Sequence, residues 1–405
     1  MEYLGHWGDR PLTISLKPNG LTVSLQHSGR ADVYSFDAAG RLWTALHEGV
    51  SYRRGLNGKV IAKWKTAGRD RDRRWLTVEE SDALLARANH WLCELLEEVH
   101  AGQPNLSPAI PAPIIAALET ARRFDLHLAH QDALAFAQVY RPVGILPPDQ
   151  YMALTLQATE GCSFNTCTFC DFYRDRPFRI KTPEEFQAHA RAVKDYLGAG
   201  LTLRRTIFLG DANALVVPMR RLVPLVEIVH REFDVEQLGG IYAFLDGFSG
   251  ERKTRQEYSR LVSLGFKRVY LGLESGHDPL LQFLKKPGSA ADCVAAVRAM
   301  KDAGLAVGVI VLLGAGGRQY AAPHVRDTVR AINAMELDMD DLIYFSELVE
   351  SEGMAYVTAA YQAGLKPLTP AERARQAEEI ESQLRFSAIG GTPHISRYDI
   401  REFVY

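Results

Sequence analysis

Residues 151–171 read YMALTLQATEGCSFNTCTFCD. The run MALTLQA at 152–158 is short, apolar and of β type, and it passes at once into a glycine-containing loop that carries Cys162, Cys167 and Cys170 within nine residues. Downstream, comparable strand-type runs recur at 205–210 (RTIFLG), 240–245 (GIYAFL), 268–273 (RVYLGL), 306–313 (AVGVIVLL) and 342–346 (LIYFS). Helical patterns separate them at 183–198, 218–233, 251–264, 289–303 and 322–335. Each return to a parallel neighbour needs a connection of helix length, so six strands with five crossover helices predict a parallel sheet. The fold class is α/β, and the count fits a partial (β/α)6 barrel, three-quarters of a closed one, better than eight units. The cysteines then sit at the C-terminal end of a strand, the face on which barrel enzymes carry out chemistry.

Three thiols are informative because they are not four. A structural zinc site asks for a fourth Cys or His, and the nearest downstream histidine, His189, falls inside a predicted helix. A [4Fe–4S] cluster on three cysteines leaves one iron open to a cofactor or substrate, and this reading is preferred over zinc and over a chance core cluster. The chain has only five cysteines in 405 residues, too few and too odd a number for a disulfide framework. The other two, Cys93 and Cys293, lie in helical sequence, read as small core residues, and cannot ligate a second [4Fe–4S] cluster alone.

The remaining composition is that of an ordinary globular chain, with 47% apolar and 24% charged residues. A formal charge of −2 excludes a chain that is basic overall. The N-terminus lacks a secretory pattern and the longest apolar runs are too short for a bilayer, so a cytoplasmic, non-membrane protein with reduced thiols is expected. Four segments are expected. Residues 1–103 are β-rich and then helical, with LTISLK and LTVSLQ flanking a Pro18-Asn19-Gly20 turn and a capping box at Thr77 and Glu80 opening a helix. Residues 104–150 are a Pro-rich linker followed by helices, 151–350 the barrel, and 351–405 a C-terminal helix and tail. The tail is expected to cover the open flank of the barrel and to add contacts from His394, Arg397 or Tyr398.

Between Arg53 and Arg74 stand nine Lys or Arg against Asp70 and Asp72, a local net charge of +7 that leaves −9 for the rest of the chain. Trp64 and Trp75 accompany them. A solvated edge is the preferred reading, and a site for RNA, nucleotide or another polyanion the alternative. Two strings are decoys. VIVLLGAGGR at 309–318 lacks the last glycine of a dinucleotide fingerprint, and Asp125–His130 lacks the closing glycine and βα context of a cobalamin motif.

On the cysteine triplet, with Phe169 before the last cysteine, residues 151–350 resemble the radical S-adenosylmethionine (SAM) superfamily. The gap of two between Cys167 and Cys170 matches that family's usual signature; the first gap is four where three is usual, a CX4CX2C variant. Leu209-Gly210-Asp211 after the second strand resembles the family's glycine-acid motif. Leu271 to Gly276 (LGLESG) is similar to a segment of the Elongator-like and methylthiotransferase-like barrels, and Leu313-Gly314 falls where the family's backbone runs beside adenine. The resemblance implies a [4Fe–4S] cluster on Cys162, Cys167 and Cys170, and SAM bound near Phe169, Gly210, Asp211, Glu274, Ser275, Leu313 and Gly314. Asp211 would accept from the SAM amino group. It further implies an electron donor such as flavodoxin or ferredoxin, reductive SAM cleavage to a 5′-deoxyadenosyl radical, and a substrate that the sequence does not name, anionic on the polyanion reading. The alternatives are an iron–sulfur or zinc protein with a structural, electron-transfer or RNA-binding role, and 3-amino-3-carboxypropyl transfer from SAM.

Overall fold

The computed structural model describes residues 1–66, 71–247 and 253–405. The chain divides into two compact units, one of residues 1–143, 191–205 and 404–405, the other of 144–190 and 206–403.

In the second unit all six expected strands are present: Ala153–Gln157, Thr206–Gly210, Ile241–Phe244, Phe266–Glu274, Ala306–Leu313 and Leu342–Glu347. They pair in parallel, in sequence order. Ala153–Gln157 is buried at every position, as a strand sandwiched between layers requires. A seventh strand, His394–Tyr398, adds in parallel beside the sixth with Ser346 opposite Tyr398. Its alternation is weak (HISRY), which is why the tail reads as an irregular cover in the sequence. The barrel is thus six βα units extended by one edge strand.

The crossover helices include Pro183–Leu197, Met219–Glu232, Arg255–Ser263, Ala290–Asp302 and Gly317–Asn333. Thr254 with Glu257, and Ser289 with Asp292, form capping boxes that satisfy backbone N–H groups at two of their N-termini. Residues 251–252 of the expected third helix lie outside the described residues.

In the first unit eight strands from Glu2 to Trp75 form an antiparallel meander. Ser28-Gly29 and Glu48-Gly49, all with positive φ, make the two-residue turns whose twist matches paired strands. Helices Val78–His100 and Ala112–Arg123 cover one face, and their leucines share a core with Ile14, Val23 and Phe36 of the sheet. The helix at Val78 opens on the expected capping box of Thr77 and Glu80. The Pro-rich stretch is not a free linker. Leu106–Ser107 pairs with His6 and Trp7 as a ninth, edge strand, the Tyr3 hydroxyl donates to the Pro108 carbonyl at 2.6 Å, and Ile110 enters the core. Prolines are tolerated there because an edge strand does not need every N–H.

Candidate functional site

The cysteine loop is a closed strap. Thr159–Glu160 pairs antiparallel with Arg179–Ile180, so the segment between leaves and re-enters the fold at one base. Glu160 accepts from Arg179 at 2.8 and 2.9 Å and lies 2.9 Å from the Lys181 ammonium, which also donates to the Gln157 carbonyl at 2.8 Å. Although burial opposes it, these two cations hold the Glu160 carboxyl at about 2. Gly161 has φ +77°, and a Cβ there would meet the Pro177 carbonyl oxygen at 2.9 Å.

Asp211 ties the two limbs together. Its carboxylate accepts from the Gly161 N–H at 3.2 Å and from the Arg176 guanidinium at 3.0 and 3.2 Å, while the Asp211 N–H donates to the Thr159 hydroxyl at 2.8 Å. The tip is pinned elsewhere. Thr168 donates through N–H and hydroxyl to the Leu284 carbonyl, and Thr166 to the Lys285 carbonyl. Arg174 donates to the carbonyls of Cys167 and Cys170. These bonds fix the loop that presents the thiols before any ligand is considered.

Cys162, Cys167 and Cys170 line one cavity of about 380 Å³. All seven parallel strands send residues or their following loops to it, including Asn213 after the second, Asp246 after the third, Glu274 on the fourth and Tyr398 on the seventh. Much of the wall is apolar, with Leu146, Phe164, Phe172, Phe244, Ile310 and Leu348 among its residues. Burial pushes the Cys170 thiol up to about 12 and raises that of Cys167, against which the Lys286 ammonium works.

Glu274 faces the same cavity at φ +58° and is 3.2 Å from Lys286. Burial works against the Lys286 ammonium, but Glu274, with Cys167 and Cys293, keeps it well above the ordinary lysine range. Gly272 makes room for this pair, because a Cβ there would stand 2.3 Å from Glu274 Oε1. A non-glycine residue held in the left-handed region beside a cavity is the kind of local strain that functional sites retain.

The residues named from sequence separate into two groups. Phe169 lines the cavity and packs with Leu312 and Met354. Gly210 and Asp211 lie at the second strand's end, outside the cavity lining, with the Asp211 carboxylate engaged by the strap. Ser275 is fully buried, 2.7 Å from His324 Nδ1, and also lies off the wall. Leu313 is off it too, one position out of phase with the inward-facing Ile310 and Leu312 of the fifth strand, and Gly314, beyond the strand's end, is also off the wall. The Gly314 N–H donates instead to Gln376.

Sequence reasoning missed Lys286, Asn213 and Asp246, whereas Tyr398, one of the tail residues named from sequence, lines the cavity. Asn213 donates to Ser163 at 2.9 Å and to Asp246, and accepts from the Asp246 N–H at 3.1 Å. The only available signal for Asn213 and Asp246 was position, each lying just beyond a strand's C-terminal end, while Lys286 lies beyond the short helix Asp278–Phe283. His189 Nε2 accepts from the Gln157 N–H at 3.0 Å, so it is committed to the backbone of the first barrel strand. Cys293 is fully buried on its helix, whereas Cys93 is only half-buried, its thiol contacting Asn89.

Among the described residues no three Cys, His, Asp or Glu side chains are placed to hold one metal ion. Three thiols spread around a shared cavity fit a group with several metal atoms.

No curated protein matches the sequence. Residues 156–322 match the family model of the Radical SAM superfamily. Among solved structures, the chain is similar to SuiB of Streptococcus suis bound to SAM, at 13% identity over 87% of this chain and 72% of that one, with a TM-score of 0.41. It is similar to methylornithine synthase (PylB) at 17% identity over 60% and 70%, TM-score 0.39. The cobalamin-dependent SAM radical enzyme OxsB is 14% identical over 56% of this chain, which spans only 30% of that longer one, with a TM-score of 0.37. The assignment rests on the family match and not on these distant likenesses. Radical SAM enzymes use a [4Fe–4S] cluster and SAM and need an external reductant, and no described helix of this chain is long and apolar enough to cross a membrane. Residues 156–322 are thus similar to a radical SAM domain.

Proposed function

We propose that the cavity is the catalytic centre of a radical SAM enzyme with a single [4Fe–4S] cluster on Cys162, Cys167 and Cys170, a CX4CX2C variant within the Elongator-like barrels. The observation that carries this reading is the convergence of the three thiols, the Glu274–Lys286 pair and all seven strand ends on one cavity. The cluster with bound SAM supplies one-electron cleavage of the sulfonium and a deoxyadenosyl radical.

The chain's own residues position and exclude. The Glu160 and Asp211 anchors keep the thiols gathered. Phe169 and Leu312 give SAM an apolar wall, and Glu274 with Lys286 offers one charge of each sign to its amino-acid portion. In this reading Asp211 holds the strap that cradles SAM, and Gly210, Ser275, Leu313 and Gly314 support the strand ends from behind. The wall of Ile145, Leu146, Phe172, Phe244 and Ile400 favours a substrate with an apolar or aromatic body and keeps water from the reacting carbon. Flavodoxin or ferredoxin suits the electron supply, and a reducing cytoplasm suits the open cluster. A pair of unrelated cysteines, one in each unit, leaves no ligand set for an auxiliary cluster.

The test is anaerobic reconstitution with iron and sulfide, reduction with dithionite and analysis of SAM products. 5′-Deoxyadenosine supports the reading; methylthioadenosine, or bound zinc without SAM turnover, refutes it.

A further inference from the structure

Beneath the cavity, the inside of the barrel holds tyrosines and a carboxylate that the SAM site does not use. Inward positions recur at every second residue of a strand, and Tyr242, Tyr270 and Tyr344 take them on the third, fourth and sixth strands, one step below Phe244, Gly272 and Ser346 of the cavity wall. Tyr398, paired opposite Ser346 on the added edge strand, lines the cavity itself. Its ring meets that of Tyr344 edge-on, with centroids 5.5 Å apart. Asp149, in the turn Pro148–Gln150 ahead of the first strand, joins the next two phenols. Its Oδ1 accepts from the Tyr344 hydroxyl at 2.8 Å and its Oδ2 from the Tyr270 hydroxyl. Arg268 pairs with the same carboxylate at 3.4 Å, and the Gln150 amide donates to it at 3.0 Å. Tyr270 in turn stacks with Tyr242, centroids 6.5 Å apart, and Tyr242 is half-buried.

Packing alone does not call for these hydroxyls. Phe208 and Phe244 fill the same interior against Tyr270, so phenylalanine fits at this level. A buried hydroxyl needs a partner and a buried carboxylate is costlier still, whereas apolar side chains of the same shape would be at least as stable. Polar groups placed against that rule beside a reactive cavity mark a functional network. Phenol is a side chain that gives up an electron and a proton together, most readily when a base already accepts its hydrogen bond. Burial, followed by the Asp149 charge, raises the Tyr344 and Tyr270 phenols, so both stand as neutral donors to that base.

We propose that these residues form a radical relay, in which Tyr398 donates a hydrogen atom to a carbon radical in the cavity and Tyr344, with Asp149 as proton acceptor, restores it. The relay rests on the cavity being a radical site. In the first step the Tyr398 O–H bond breaks and a C–H bond forms, leaving a phenoxyl radical on Tyr398. One electron then passes from Tyr344 to Tyr398, the Tyr344 hydroxyl proton moves to Asp149, and the Tyr398 phenolate takes a proton from cavity water. An external one-electron reductant returns the electron to Tyr344 by way of Tyr242 and Tyr270, and Asp149 returns the proton. The sum is one electron and one proton added to the carbon radical.

Two measurements test it. The first reduces reconstituted protein with dithionite in D2O, with SAM and no other substrate. Exchanged Tyr398 carries deuterium, so 5′-deoxyadenosine from the wild type contains one solvent deuterium by mass spectrometry. Tyr398→Phe keeps the ring contact with Tyr344, holds its thermal midpoint near that of the wild type and lowers that label about tenfold or more. The second uses metal-free protein oxidised by a flash with photogenerated tris(bipyridine)ruthenium(III). The wild type shows a long-lived tyrosyl absorption, and Asp149→Asn and Tyr344→Phe each shorten its lifetime about tenfold or more, the weight of one hydrogen bond to a charged group. Equal deuterium in wild type and Tyr398→Phe, or an unchanged tyrosyl lifetime in the other two variants, overturns the proposal. Absence of any 5′-deoxyadenosine instead refutes the radical SAM reading, and the metal-free measurement still decides the relay.

Discussion

His324 offers a quantitative check on how the strand that presents Glu274 is held. The imidazole is fully buried, its Nδ1 lies 2.7 Å from the Ser275 hydroxyl, and no partner is seen for Nε2. Ser275 in turn accepts from the His277 N–H at 3.0 Å, so the turn after Glu274 is fixed through this ring. Burial, with a smaller contribution from His277, lowers the His324 value from 6.5 to about 4. A base whose value is lower in the folded state takes up a proton on unfolding. Its contribution is full above pH 6.5, shrinks as pH falls, and is gone below about pH 4. The gap corresponds to about 3 kcal/mol, or roughly 6–12 °C in the melting temperature of a unit this size.

His324→Asn keeps a polar group near Ser275 and cannot titrate in this range. At pH 7 the variant is less stable through lost packing. Between pH 6.5 and 4 the wild type loses about 3 kcal/mol more than the variant, so the two melting curves approach one another. The assay is the thermal midpoint of both proteins at half-unit pH steps, in buffers whose own pKa changes little with temperature. A wild-type-to-variant gap that stays constant from pH 7 to pH 4 would show that His324 is not buried as a neutral ring, and would refute the reasoning.

Three further outcomes are expected. Glu160→Gln removes the anion between Arg179 and Lys181; at pH 7 it costs about 2 kcal/mol after discounting for the exposure of Arg179, and the cost fades as pH falls from 4.5 toward 2. Denaturant melts at pH 7 and pH 3 check this, with equal costs at both counting against it. Gly272→Ala puts a methyl group 2.3 Å from Glu274 Oε1 and 3.1 Å from Lys286 Nζ, so the pair separates and SAM affinity, measured by equilibrium dialysis on reconstituted protein, falls about tenfold. Cys167→Ala leaves the strap's hydrogen bonds intact and lowers iron to background by colorimetric assay, with a melting temperature near that of the metal-free wild type.

The parallel sheet was legible because fully buried strands announce themselves as short apolar runs between capped helices, as in Ala153–Gln157 and Ala306–Leu313. His394–Tyr398 was not, since an edge strand half open to solvent alternates weakly and pairs only once its neighbour exists. The thiols were legible for a similar reason: three cysteines so close together have few other uses. Phase was the harder problem. Leu313 and Gly314 were named from the family resemblance, whereas the inward-facing residues are Ile310 and Leu312, set by a period of two that a uniformly apolar run conceals. Lys286 follows a helix of only six residues, Asp278–Phe283, and meets Glu274 through a turn that no local pattern specifies.

Asp211, named from the sequence motif, carries a structural task in this fold. A carboxylate that bound a ligand in the cavity would need an oxygen free to turn toward it. Here Oδ2 already accepts from Gly161 and Arg176, Oδ1 accepts from the Gln157 amide at 3.4 Å, and the backbone N–H is bound to Thr159. Burial raises the carboxyl's pKa while Arg176 and the Gly161 amide lower it, so the charge depends on the strap being closed. The dependence runs both ways, because Gly161 is the residue immediately before Cys162 and Arg176 closes the far limb. Opening the strap would strand a buried carboxylate, at a cost of several kcal/mol. The acid at the second strand's end therefore couples the placement of the thiols to the integrity of the sheet, and three cysteines on a loop of mixed sequence are held as firmly as if they stood on the strands themselves.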